Sequence, residues 1–138
     1  MTILFVDDES REMDSFRLEL VMTGHEVAFK TKTDDAWKYF EENLTGIDML
    51  ILDIMMPSGS LLNDEDTENG LRTGILFFQK LREKEPRMPV VILTNVSDKS
   101  VADWFNDQPR CVFLRKEDVF PFQLAEKVDE LFQSTKRQ

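Results

Sequence analysis

Short apolar runs alternating with helical stripes predict an α/β domain: five parallel strands between two layers of helices, a three-layer α/β/α sandwich. A second observation concerns where the runs stop. Ile3–Val6 ends in Asp7-Asp8, Met49–Leu52 in Asp53, Pro89–Leu93 in Thr94, and Cys111–Arg115 in Lys116. Packing explains such groups at four strand ends poorly; a site at the carboxyl edge of a parallel sheet explains them well. Third, 138 residues with 41% hydrophobic content suffice for one core, so 1–138 reads as a single domain.

The elements follow in order. Ser10 to Met22 carries Met13, Phe16 and Leu20 at helical spacing, and Gly24 closes it. Glu26–Lys30 is a short strand with Val27 and Phe29 on one face. Thr33-Asp34-Asp35 offers an N-cap for a helix turning Ala36, Trp37, Phe40 and Leu44 inward, Trp37 half-buried. After the third strand a helix resumes near Gly74, with Leu76, Phe77 and Leu81 inward, and stops at Glu85-Pro86, where proline forbids continuation. Val90–Thr94 is the fourth strand. Ser97 or Asp98 caps a helix through Phe105, with Trp104 and Phe105 read as core. The last helix spans Pro121 to Phe132, with Leu124, Val128, Leu131 and Phe132 on its core side. His25, in a turn after Gly24, reads as exposed.

Charge and cysteine content narrow the function. Twenty-seven acids against seventeen bases give a net charge of −10, so no basic stripe meets nucleic acid. The one cysteine, Cys111, forms no internal disulfide, suits a reducing compartment and reads as a buried thiol. No apolar stretch approaches the roughly 20 residues of a membrane helix, and no signal peptide precedes the first strand. A cytoplasmic protein is expected.

One segment breaks the rhythm. Sixteen residues, 58–73, separate Pro57 from Gly74 where such a loop takes about two to six. Asp64, Asp66 and Glu68 alternate there, yet a calcium loop counted from Asp64 meets Asn69 and Ile75 where glycine and glutamate are required. A solvated acidic loop is the expectation, with Leu61, Leu62 and Leu71 to pin it to the body or to meet a partner.

Together, Ile3-Leu4-Phe5-Val6-Asp7-Asp8-Glu9, Asp48 through Pro57, Pro89 through Thr94 and Phe113-Leu114-Arg115-Lys116 resemble a response-regulator receiver domain, the phosphoacceptor module of two-component signalling. The resemblance spans nearly the whole chain, with the long loop as its interruption. It implies a flavodoxin-like, doubly wound sheet of order 2-1-3-4-5, in which strands one and three are neighbours and Asp7, Asp8 and Asp53 converge. Carboxylates at about 4 Å repel by roughly 4 kcal/mol at an effective dielectric near 20, so the cluster calls for a divalent cation or a shifted pKa.

Oxygen ligands favour Mg²⁺. By resemblance Asp8, Asp53 and the backbone carbonyl of Met55 ligate it, and Asp7 acts through metal-bound water. Asp53 then takes a phosphoryl group from a histidine kinase or phosphotransfer protein, assisted by Lys116 and Thr94. Thr94 and Phe113 form the conformational switch. Output passes to a downstream protein partner or a removed effector domain, since the chain ends just after its last helix. Catalysis is confined to the domain's own phosphorylation and dephosphorylation.

The pattern departs from the family in places. Glu117 follows Lys116 where proline is usual, leaving the geometry of that bond open, and Arg115 competes with Lys116 for the inward position, which the spacing from Phe113-Leu114 gives to Lys116. Pro109-Arg110 replaces the usual Gly-Ala, and Asn95 stands beside Thr94 where a small residue is usual. Met55 and Val96 are apolar, which implies a long-lived phosphorylated state. Two other readings remain: a degenerate receiver used only for docking, and a haloacid-dehalogenase-type phosphatase. The second wants an acid two residues after Asp53, where Met55 stands.

Overall fold

A computed structural model describes residues 1–57, 59, 70 and 72–136. Five strands, β1 (Thr2–Val6), β2 (Glu26–Lys30), β3 (Met49–Leu52), β4 (Val90–Thr94) and β5 (Cys111–Arg115), form one parallel sheet of order β2-β1-β3-β4-β5. Every residue of β3 and β4 is buried, as expected of strands covered on both faces.

Side-chain alternation splits the core in two. Leu4, Leu50, Val90 and Cys111 form one cross-sheet row, and Val6, Leu52, Ile92 and Phe113 the next, on the same face. Against them pack Ala36 and Phe40 of α2 (Thr33–Glu42), Phe77, Phe78 and Leu81 of α3 (Thr73–Lys84), and Phe105 of α4 (Lys99–Asn106). The intervening residues Phe5, Ile51 and Val91 point the other way, to Phe16 and Leu20 of α1 (Asp14–Met22) and Leu124, Val128 and Leu131 of α5 (Pro121–Lys136). This division follows from right-handed crossovers: the chain steps outward from β1 to β2, then returns across the sheet through β3, β4 and β5. The reversal between β1 and β3 creates the crevice where a site can form.

Several expectations need correction. α1 begins at Asp14 rather than Ser10, because residues 10–13 form turns, with Met13 N–H donating to the Glu9 carbonyl at 3.2 Å. Lys32, not the Thr33-Asp34-Asp35 run, is the cap of α2, and Thr33 is a buried helical residue. Leu44 lies beyond that helix and is exposed. Leu76 is only half-buried, whereas Phe78 is in the core. The His25 side chain is 9% exposed instead of open to solvent, with Nε2 3.3 Å from Asp129 and Nδ1 3.2 Å from the terminal ammonium. α5 continues past Phe132 to Lys136, with Phe132 half-buried and packed against the core on the side expected.

Other local signals hold. Gly24 adopts φ 98°, and the N–H groups of Gly24 and His25 donate to the Val21 and Leu20 carbonyls, closing α1 in a Schellman arrangement. Asp98 rather than Ser97 caps α4, its Oδ1 accepting from the Ser100 N–H at 2.8 Å. Trp37 is half-buried, and Trp104 and Phe105 pack on Phe78. At the amino edge of the sheet the Arg82 guanidinium donates to the carbonyls of Glu85, Met88, Pro109 and Arg110, at 3.3, 2.6, 2.9 and 3.3 Å.

The acidic-loop expectations at Leu61, Leu62, Asp64, Asp66, Glu68 and Leu71 lie outside the described residues. Among the described residues no helix is long and apolar enough to cross a membrane.

Candidate functional site at the carboxyl edge of the sheet

The β1–β3 register places Val6 beside Leu52, so the residues that follow them, Asp7 and Asp53, leave adjacent strands side by side. Backbone bonds extend the alignment: Asp53 N–H donates to the Val6 carbonyl at 3.0 Å, and Asp7 N–H to the Lys30 carbonyl at 3.1 Å. Two carboxylates 46 positions apart thus meet without help from their own loops. Both are buried, while Asp8 is exposed beside them.

Lys116 begins a 3-10 turn after β5 and reaches back across the edge, its side chain only 7% exposed. Its ammonium lies 2.9 Å from Asp7 Oδ2, 3.3 Å from Glu9 Oε1 and 3.4 Å from Asp53 Oδ2. The competing Arg115 stays outside, paired with Glu117 at 2.6 Å and Asp118 at 3.6 Å. No described peptide bond is cis, that between Lys116 and Glu117 included.

Burial pushes the Asp7 carboxyl up to about 6, against the hydrogen bond from Lys116, and the neighbouring Asp53 charge adds to the rise. Asp8 is also raised, by desolvation first and then by Asp53. For Lys116 burial works downward, but the hydrogen bond to Asp7 and the charges of Asp53, Asp7 and Glu9 outweigh it, so its pKa rises. The site is therefore short of positive charge.

The geometry suits a hard cation. Ligand oxygens of Asp7, Asp8, Glu9 and Asp53 all lie within 4.8 Å of one another. Asp53 Oδ1 is buried and has no hydrogen-bond partner among the described residues, so its lone pairs are open to a cation. An all-oxygen set of this kind fits Mg²⁺.

Asp53 also lines a pocket of about 150 Å³ with Glu9, Met55, Thr94, Asn95 and Val96. Thr94 is buried, and its Oγ1 accepts from the Val96 N–H at 3.3 Å. Phe113 sits off this pocket, its ring stacked on Phe105 at 6.1 Å and its N–H donating to Asn106 Oδ1 at 3.1 Å.

Gly74 brings α3 against the Asp53 backbone. Its N–H donates to the Ile54 carbonyl at 2.7 Å, and a Cβ there would land on the Ile54 Cα and the Asp53 carbonyl oxygen. The edge thus gathers Asp7, Asp8, Asp53, Thr94 and Lys116, and leaves Phe113 of β5 packed against Phe105 of α4. Sequence reasoning missed Glu9 and the close approach at Gly74. Glu9 had a signal, its place directly after the acidic pair, but only the turn at residues 10–13 makes it face Lys116.

A family model described as the response regulator receiver domain matches residues 3–117. No curated protein matches the sequence. Among solved structures, a response regulator receiver domain protein from Clostridium thermocellum is 26% identical with a TM-score of 0.79, over 98% of this chain and 96% of that one. The receiver domain of the hybrid histidine kinase CckA is 26% identical with a TM-score of 0.70, over 96% and 99%. A CheY-like receiver domain protein from Methanospirillum hungatei JF-1, 19% identical over 99% and 96%, has the same fold at a TM-score of 0.78. Strand order, strand-end chemistry and the match over 3–117 agree, and the chain belongs to the response regulator receiver domain family of two-component signalling.

Proposed function

We propose that Asp53 accepts a phosphoryl group from a phosphohistidine on a histidine kinase or phosphotransfer protein. One observation carries this reading: among the described residues Asp53 Oδ1 is buried without a partner while Oδ2 lies 3.4 Å from the Lys116 ammonium, so one oxygen is free to attack and the other is oriented. An Asp53 oxygen forms the new P–O bond as the P–N bond breaks. The bonding pair leaves with the imidazole nitrogen, which takes a proton from solvent. Such transfers depend on positioning and charge neutralisation more than on covalent help.

Asp8 and Asp53 with the Met55 backbone carbonyl, and Asp7 through metal-bound water, would hold Mg²⁺, which neutralises phosphoryl charge when bound. Lys116 supplies the second share from its own side. Thr94 Oγ1 already accepts a bond from Val96 N–H, which leaves its O–H free to donate to a phosphoryl oxygen.

That donation draws Thr94 toward Asp53 and opens space for Phe113, whose ring carries no polar group to bury. The resulting population shift is driven by contacts that exist only in the phosphorylated state. Output passes to a protein partner or a further domain. Met55 and Val96 place apolar groups beside the acyl phosphate and slow attack by water; Met55→Asn and Val96→Glu variants should lose phosphate faster.

The test is incubation with acetyl phosphate or phosphoramidate and Mg²⁺, followed by intact mass. A phosphoryl adduct that disappears in Asp53→Asn supports the reading. Turnover of phosphate esters would favour a phosphatase, and neither result would favour a docking module.

A further inference from the structure

Among the described residues, Glu9 is the one carboxylate at Lys116 that stands in the pocket mouth. Its side chain is 42% exposed, whereas Asp7 and Asp53 are buried, and it lines the opening with Met55, Asn95 and Val96. Its backbone is fixed: the N–H donates to Asp7 Oδ1 at 2.8 Å and the carbonyl accepts from Met13 at 3.2 Å. Only the carboxylate is free to move, and it rests 3.3 Å from the ammonium.

We infer that Glu9 is the resting counter-anion of Lys116 and filters phosphodonors by their charge. Three carboxylates of the described residues share one ammonium. A phosphoryl group on Asp53 claims the same ammonium, so one tie must yield. Asp7 and Asp53 cannot leave without burying unpaired charge, which is costly. Glu9 can, because water compensates its carboxylate as it swings out. Until then it keeps Lys116 partly neutralised and sets a negative charge where an anionic donor must enter. Glu9 is a positioning residue, acting through Lys116 and through the field at the mouth.

The inference rests on Asp53 as acceptor, and its test separates the two. Phosphorylation rates are measured with dianionic acetyl phosphate and largely monoanionic phosphoramidate, at saturating Mg²⁺, for wild type, Glu9→Gln and Glu9→Asp. Glu9→Gln should speed acceptance from acetyl phosphate by roughly three- to tenfold. The gain from phosphoramidate should be smaller, and both gains should shrink with added salt. Glu9→Asp should stay near wild type. A rearranged site would alter both donors alike, so equal changes, or none, overturn the inference. Wild type inert to both donors overturns the role of Asp53 instead. The resting contact has its own readout without metal or donor: the Lys116 ammonium NMR signal must shift in Glu9→Gln, and an unmoved signal overturns the pairing.

Discussion

The Lys116 ammonium stands 2.9 Å from Asp7 and 3.4 Å from Asp53, so its nearer partner is not the proposed acceptor. Asp7 holds the cation from below while Asp53 keeps one oxygen uncommitted. Lys116→Met leaves both carboxylates buried without a counter-charge, which should cost about 3 kcal/mol in metal-free buffer. Mg²⁺ should restore much of the loss and bind more tightly than to wild type, because one competing cation is gone. Urea unfolding with and without MgCl₂ checks this; a variant as stable as wild type in EDTA would refute it.

Mg²⁺ should stabilise the wild-type fold, by about 1.4 kcal/mol at a concentration tenfold above its dissociation constant. Asp8→Asn should abolish that gain. In EDTA the same change should raise stability by about 0.5 kcal/mol, since it removes an exposed charge crowded by Asp53. Paired thermal melts decide the matter, and an equal metal response in both proteins would count against Asp8 as a ligand.

Gly74→Ala should destabilise the fold by about 2 kcal/mol or more, because the methyl group meets backbone rather than a flexible side chain. It should also slow phosphorylation by shifting Asp53. Gly46→Ala is the control: a Cβ there meets only the Asn43 carbonyl oxygen, at 3.7 Å. Equal effects of the two changes on acceptance would dismiss the positional argument.

Burial pushes the Cys111 thiol up to about 12 from 9.0. A raised acid pKa keeps the group protonated in the fold, so its contribution to stability is complete below pH 9 and is lost as pH climbs from 9 toward 12. At pH 8.5 the folded thiolate should be roughly 10³-fold scarcer than in the unfolded chain. Iodoacetamide should label Cys111 rapidly only in denaturant. Comparable native and denatured rates would disprove the buried setting.

The sheet and most of the site were legible because strand-end residues need no loop geometry to meet. Once β1 and β3 pair in register, Asp7 and Asp53 are neighbours by construction. What escaped depends on backbone paths between elements. Glu9 reaches Lys116 through a turn that delays α1 to Asp14, and Ser10 carries no mark of that delay. His25 reads as a polar turn residue until α5 brings Asp129 to it. Leu44 continues the helical stripe in sequence, yet α2 has already ended at Glu42. Periodicity reports faces well and endpoints poorly.

The four carbonyls gathered by Arg82 belong to the segments that lead into β4 and β5. Anchored at that end by one guanidinium, β4 and β5 run in register as far as the pair of Thr94 and Arg115, so the placement of Thr94, and of the Lys116 that follows Arg115, is inherited from the opposite edge of the sheet.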